Sequence, residues 1–318
     1  MSGQEQKIAL VFPGQGSQRP GMGKDFFDGI ARSRQSFEEA SEALGWDVAA
    51  LCFGEDERLN LTAFTQPCIL ATEIAMFRAM EVLYGFAPSC FGGHSLGEFT
   101  ALVAAGALPF PEALRIVHRR GKLMQEAVPP GEGAMAAVIS EDLNLETLRD
   151  VLGDLPLDVA NINSANQAVI SGKASAMIEA EKRLTETLGK EKPLRFVTLN
   201  VSAPFHSRFM RAIEEPFAET LASLGPGLDP GRATAVTANF TGGFHTGEKA
   251  AVVGSLVSQL SHPVRWTDNM RTLAEAAGSV YEVGPGRPLR DFFKTLGIGC
   301  SSITTLQSAE RLFGGKDR

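Results

Sequence analysis

Cys90-Phe91-Gly92-Gly93-His94-Ser95-Leu96-Gly97-Glu98 is the stretch whose reading decides the fold. A short apolar run leads in, and Phe99 to Leu108 follows as a helix-forming run. Strand, tight turn and helix are therefore expected, with Gly93-His94-Ser95-Leu96-Gly97 at the bend. Gly-x-Ser-x-Gly in that setting reads as a nucleophile elbow. Glycines two residues either side of the serine let the chain double back without Cβ clashes. The Leu96 N–H opens a helix and is placed to face a developing oxyanion. A plain glycine-rich turn carrying an ordinary serine reads equally well from five residues, so the rest of the chain has to decide.

Upstream, Lys7-Ile8-Ala9-Leu10-Val11-Phe12 is an apolar run and a candidate buried strand. It runs into Pro13-Gly14-Gln15-Gly16-Ser17-Gln18, a loop whose glycines flank Gln15. Loops beyond the carboxyl ends of parallel strands are where open α/β sheets bind ligands. Helical spacing covers Asp25 to Leu44 and Cys68 to Tyr84, with a breaker from Asn60 to Pro67 between them. Strands alternating with helices predict a mostly parallel, doubly covered sheet.

From Pro111 to about Ala127, Ala113, Ile116, Val117, Leu123, Met124 and Ala127 make an apolar stripe at three- and four-residue spacing. Arg120 falls on that stripe, whereas Arg115, Arg119, Lys122 and Glu126 fall on the opposite face. A guanidinium aimed at the core must find an anion or several acceptors. It is either a structural ion pair or a clamp for a substrate carboxylate.

Beyond Val128-Pro129-Pro130-Gly131 the pattern changes. Gly133–139 reads as a strand, 141–152 as a helix, 157–162 and 167–171 as strands, 174–188 as a helix and 194–199 as a strand. The order βαββαβ predicts a ferredoxin-like subdomain over 130–200, inserted into a large domain built from 1–129 and 201–318. Further on, 232–239 and 279–283 read as strands, 250–260 and the segment from Leu289 as helices, and Ser308 to Arg318 as a frayed polar tail.

Five histidines leave few partners for Ser95. His94 adjoins the serine on a tight turn, His118 lies in mid-helix, His245 sits in a glycine-rich loop and His262 precedes a proline. His206, following Pro204-Phe205, remains by elimination.

The 318 residues, 44% of them hydrophobic, suffice for a large core, and the net charge of −7 argues against a nucleic-acid partner. Neither a membrane span nor a secretory leader is apparent, and a cytoplasmic location is expected. Cys52, Cys68, Cys90 and Cys300 form no Cys-x-x-Cys pair, so free thiols are expected and no metal site is indicated.

Seven stretches, in order, resemble the malonyl-CoA:acyl carrier protein transacylases. They are Phe12 to Gln18, Thr65-Gln66-Pro67, Gly93 to Glu98, Arg120-Gly121-Lys122 with Met124-Gln125-Glu126, Pro204-Phe205-His206, Gln259-Leu260 with Pro263-Val264 and Trp266, and Glu282 to Gly286. The resemblance implies an α/β-hydrolase-like large domain with the ferredoxin-like insertion. It implies Ser95 as nucleophile, His206 as base oriented by the Gln259 carbonyl, and the N–H groups of Gln15 and Leu96 as oxyanion donors. Arg120 would hold the free malonyl carboxylate, Asn161 and Asn163 would lie near the acyl pocket, and Phe205 would limit α-branching. Malonyl-CoA and holo acyl carrier protein are the implied substrates, with no cofactor or metal and a monomeric enzyme expected. Because carrier proteins are acidic, Arg119, Lys122, Arg208, Arg211, Arg287, Arg290 and Lys294 are candidate docking cations. A serine hydrolase with the same dyad and a non-catalytic acyl-binding protein are the rival readings.

Overall fold

The structure, a computed structural model, describes residues 7–190, 192–201, 203–223 and 227–315. Strands β1 (Ile8–Phe12), β2 (Cys90–Gly93), β7 (Ser279–Val283) and β8 (Cys300–Ile303) form a parallel sheet ordered β2-β1-β7-β8. β1 is buried from Ala9 to Phe12 because helices cover both faces of the sheet. Its register pairs Phe12 with Gly93, so the two strands end level. The Pro13–Gln18 loop and the Ser95 turn thus leave the same edge side by side, and the His94 N–H bonds the Phe12 carbonyl at 3.0 Å.

A second, antiparallel sheet holds β3 (Gly133–Ile139), β4 (Leu157–Ser164), β5 (Gln167–Lys173) and β6 (Arg195–Thr198), ordered β4-β5-β3-β6. The helices Leu145–Leu152 and Met177–Thr187 bury Leu148, Leu152, Ala180 and Leu184 against Val138, Val159 and Ile170, which gives this sheet an apolar core of its own. It joins the larger body along β4, where Val264 donates to the Ala160 carbonyl and Ile162 to the Val264 carbonyl, both at 2.9 Å.

Several elements depart from the sequence reading. The expected helix over 25–44 is two helices, Lys24–Gly29 and Ala31–Leu44, because the backbone extends at Ile30. The expected break over 60–67 is confined to its start, where Leu61 is extended: one helix then runs Thr62–Tyr84 through Pro67. Proline lacks the N–H that would bond the Ala63 carbonyl. The His118 ring nitrogen Nδ1 donates to that carbonyl instead, at 2.8 Å. The residues 232–239 make no strand. Asp229 caps a short helix, Pro230–Ala233, with proline at its first turn, and only Val236 and Thr237 touch a sheet edge or hairpin. The tail expected to fray over 308–318 is helical over 308–313, and 316–318 lie outside the described residues. A helix Leu306–Phe313 starts from a Thr305/Ser308 capping box and stacks Phe313 on Tyr84, Phe86 and Tyr281. Helices Val48–Phe53 and Trp266–Ala276 and strand β8 carried no clear signal in the sequence.

Among the described residues, no helix is long and apolar enough to cross a membrane. The four cysteines are free, and all but Cys300 are buried.

Candidate active site

Ser95 stands between β2 and the helix Leu96–Ala104 with φ 53° and ψ −98°, a backbone conformation that non-glycine residues avoid. The flanking glycines make the turn possible. A Cβ on Gly93 would lie 1.9 Å from the Gly97 carbonyl carbon, and one on Gly97 would lie 2.2 Å from the Phe12 oxygen. The Ser95 N–H is pinned by Asn239 Oδ1 at 2.6 Å. Asn239 in turn donates to the Gly93 carbonyl and to Asn269 Oδ1, at 2.8 and 2.9 Å. The strained residue is therefore held from below by a buried amide.

His206 arrives from 111 residues further along the chain. It too has positive φ, 58°, and its N–H bonds the Leu260 carbonyl at 3.1 Å. Its Nε2 lies 2.8 Å from Ser95 Oγ and its Nδ1 2.7 Å from the Gln259 carbonyl. A carbonyl only accepts, so Nδ1 carries the proton and Nε2 presents a lone pair to the serine hydroxyl. Burial, reinforced by the nearby Arg120 charge, pushes the imidazole pKa down to about 3, so the ring is neutral at rest.

Arg120 is 1% exposed, on the inward stripe of the helix Phe110–Glu126. Its Nη1 donates to Gln66 Oε1 at 2.9 Å; its Nη2 donates to Gln259 Oε1 at 2.7 Å and to Ser95 Oγ at 3.1 Å. The guanidinium also lies 5.4 Å from the Phe99 ring centroid. Its three hydrogen-bond acceptors are all neutral, and Nε has no partner among the described residues. Burial lowers its pKa to about 10, an effect partly opposed by the Glu98 charge. A buried cation with only neutral acceptors, one of them Ser95 Oγ, has the chemistry to take an anion. Ser95 Oγ thus accepts from Arg120 while donating to His206, and both contacts favour the alkoxide.

Ser95, His206, Arg120 and Gln259 meet although they lie up to 164 residues apart in the chain. Leu96 heads its helix, so its N–H has no intrahelical acceptor. The Gln15 loop lies against the elbow: a Cβ on Gly14 would sit 2.4 Å from the His94 oxygen. The Gln15 side chain bonds Thr62 Oγ1 at 3.1 Å. Asn163 is engaged within the protein, accepting from His94 Nε2 at 2.8 Å and donating to Gln167 Oε1 at 2.8 Å. Its amide therefore orients His94. Asn161 is buried in β4, where the strand pairs with Val264. Phe205 is buried in the main core, next in sequence to His206. His206 also borders an open cleft of about 470 Å³ between β4 and the Ser261–Pro263 turn, with Arg149, Arg208 and Arg211 along it.

The chain matches the acyl transferase domain family over residues 9–281. It is 40% identical over 297 residues to the malonyl CoA-acyl carrier protein transacylase of Bacillus subtilis (strain 168), covering 91% of this chain and 90% of that one. The chain belongs to the malonyl-CoA:acyl carrier protein transacylase family. It is an acyltransferase. The corresponding transacylase structure from Clostridium perfringens superposes with a TM-score of 0.88 at 34% identity, covering 97% of this chain and 96% of that one. A malonyl-transacylase solved in complex with a type II PKS acyl-carrier protein gives 0.87 at 34% identity, covering 98% of this chain and all of the other. Family members thus share both sheets described above, the parallel and the antiparallel.

Sequence reasoning assigned no site role to Gln66, Asn239 or His245. Gln66 and Asn239 each close a short apolar stretch, a weak signal for a polar group buried at the end of a core element. Glu98 stood in the elbow motif without an assigned partner. His245 was weighed only as a base, yet it lies buried with Nε2 2.9 Å from Glu98 Oε1.

Proposed function

We propose that this acyltransferase moves a malonyl group from malonyl-CoA to the phosphopantetheine thiol of acyl carrier protein, through a malonyl-serine intermediate. Arg120 carries the reading: a buried guanidinium, 3.1 Å from the nucleophile and lacking a charged hydrogen-bond partner, suits an acyl group that ends in a carboxylate. A simple esterase has no use for such a cation. The relatives' activity on malonyl-CoA and carrier protein supports the same assignment.

In the first half-reaction Ser95 Oγ attacks the thioester carbonyl and His206 Nε2 takes its proton. The N–H groups of Leu96 and Gln15 hold the oxyanion, each contributing about 3 kcal/mol. Collapse expels coenzyme A, whose sulfur recovers the proton from His206. The second half runs in reverse: the carrier thiol gives its proton to His206 and attacks the malonyl-serine ester. One thioester replaces another, so the exchange is nearly isoenergetic and proceeds with protein groups alone. Phe205 narrows the space beside His206 against α-branched acyl groups, and Asn163 shapes the acyl pocket through His94.

The strand order β4-β5-β3-β6 with two helices on one face supports reading 130–200 as a ferredoxin-like insertion. Segments 1–129 and 201–318 then make an α/β-hydrolase-like catalytic body. The enzyme acts as a cytoplasmic monomer supplying extender units for fatty acid synthesis.

Incubation with malonyl-CoA, with and without holo carrier protein, tests the assignment. One equivalent of coenzyme A should be released without carrier and turnover should begin on adding it. Continuous release at the same rate without carrier would make the protein a hydrolase.

A further inference from the structure

Beneath the Ser95–His206–Arg120 cluster lies a second buried pair, Glu98 and His245, that touches no reacting atom. Glu98 sits on the elbow helix and His245 on the turn after Asn239; their side chains are 0% and 1% exposed. The His245 Nε2 faces Glu98 Oε1 at 2.9 Å. The other carboxylate oxygen, Oε2, accepts from Gln259 Nε2 at 2.6 Å and from the Asn239 N–H at 3.0 Å. The Gln259 amide thus lies between opposite charges: its Nε2 gives to Glu98 and its Oε1 takes from Arg120 at 2.7 Å.

That arrangement admits one amide orientation. A flipped Gln259 would set its NH2 against the Arg120 donor and its oxygen against the Glu98 acceptor, two repulsive contacts in a buried site. Glu98, together with the Ser95 carbonyl that accepts from the same Nε2 at 3.1 Å, therefore fixes Gln259, and Gln259 fixes the Nη2 edge of Arg120 that reaches Ser95. With the Asn239 N–H and Gln259 Nε2 on Oε2, His245 is the donor that holds Oε1 and so completes the orientation of the carboxylate. The His245 N–H to the Val236 carbonyl, at 2.9 Å, and the Phe244–Thr237 bridge hold that residue in place.

We infer that His245 is a positioning residue for acyl selection: through Glu98 and Gln259 it sets the Arg120 guanidinium that recognises the acyl carboxylate. The inference rests on the malonyl-transfer reading. It concerns the cation more than the base, because His206 is oriented by the Gln259 main-chain carbonyl, which does not rotate with the amide.

The test measures kcat and KM for malonyl-CoA and acetyl-CoA, with holo carrier protein, in four proteins. They are wild type, His245→Leu, His245→Gln, and His245→Leu combined with Arg120→Ala. Leucine fills the space without a donor; glutamine places an NH2 near the position of Nε2. His245→Leu should lower malonyl kcat/KM by about tenfold, mainly through KM, the scale of one orphaned buried acceptor. Acetyl transfer should fall by less, so the malonyl/acetyl ratio drops. His245→Gln should recover malonyl transfer to within about threefold of wild type, and the leucine change should add no malonyl loss once Arg120 is gone. An unchanged malonyl/acetyl ratio, no rescue by glutamine, or a full further loss in the Arg120→Ala background would overturn the inference. If His245→Leu does not fold, His245→Asn is used with the same criteria, since its shorter side chain holds the NH2 back from Glu98. Wild-type protein that transfers no malonyl would refute the parent reading instead.

Discussion

Replacing Arg120 with alanine separates acyl recognition from acyl transfer. The guanidinium is 1% exposed, so a malonyl carboxylate bound to it would be desolvated with it. Breaking a buried, hydrogen-bonded ion pair by removing one partner costs about 3–5 kcal/mol. At about 1.36 kcal/mol per decade, malonyl kcat/KM should fall about 200- to 5,000-fold. Acetyl-CoA has no carboxylate to strand, so acetyl transfer should change by less than about tenfold, the scale of the one Nη2–Oγ hydrogen bond lost at Ser95. The charge also acts on the base. Arg120 is the second cause, after burial, of the low His206 pKa of about 3. A base works only when deprotonated, and removing a neighbouring cation raises its proton affinity. The acidic limb of acetyl kcat/KM should therefore move to higher pH in Arg120→Ala, while staying below the ordinary histidine range because burial persists. The assay follows labelled malonyl and acetyl groups onto holo carrier protein across pH. Equal losses for both substrates with an unmoved acidic limb would show that the arginine is a structural prop.

Ser95→Ala and His206→Ala should each cut transfer by about 10⁴ or more, and the double variant should be no worse than the singles, because the two act as one unit; additive losses would mean separate roles. Gly93→Ala should cost more than about 4 kcal/mol or yield no folded protein, since its Cβ would lie 1.9 Å from the Gly97 backbone; a thermal melt matching wild type would refute the elbow geometry. Glu73 is fully buried near Pro13 and Gly284 and accepts from Thr100 Oγ1 at 2.6 Å, with burial holding its pKa well above the usual carboxylate range. The folded state then keeps a proton the unfolded chain has lost, so this group's contribution to stability falls as pH rises above about 4.5. Glu73→Gln should flatten that fall, read as urea midpoints at about pH 5 and about pH 9; parallel pH profiles for the two proteins would show that Glu73 is ionised in the fold. For His206, folding disfavours the proton, so stability contributed by the neutral ring is lost as pH drops from about 6.5 toward 3. His206→Gln should remove that slope, and an unaltered acid melt would contradict the low pKa.

Local patterns carried much of this protein. The β1 run, the Gly-x-Ser-x-Gly turn and the βαββαβ order are legible because strand burial, a tight turn and period-2 or period-3.6 patterning are decided by neighbours in the chain. Arg120 declared itself by occupying an apolar stripe, which is also a local signal. The helix through Pro67 was illegible because its repair, His118 on the Ala63 carbonyl, comes from 55 residues away. The 232–239 strand failed for the opposite reason: β-branched residues predict extension, but the Asp229 cap and Pro230 start a helix first. The final helix is held by Phe313 against aromatic rings from distant elements, which a polar tail composition conceals.

By itself the sequence determined which residue types were available for chemistry and which stretches would bend, extend or coil, since those choices cost energy within a few residues. The tertiary structure alone decided that Arg120 bonds neutral acceptors, that Asn163 serves His94, and that His245, Glu98 and Gln259 stand in line beneath the serine. Those are relations between buried polar groups far apart in the chain. Each must find partners wherever folding removes it from water, and no local pattern records which partner it meets.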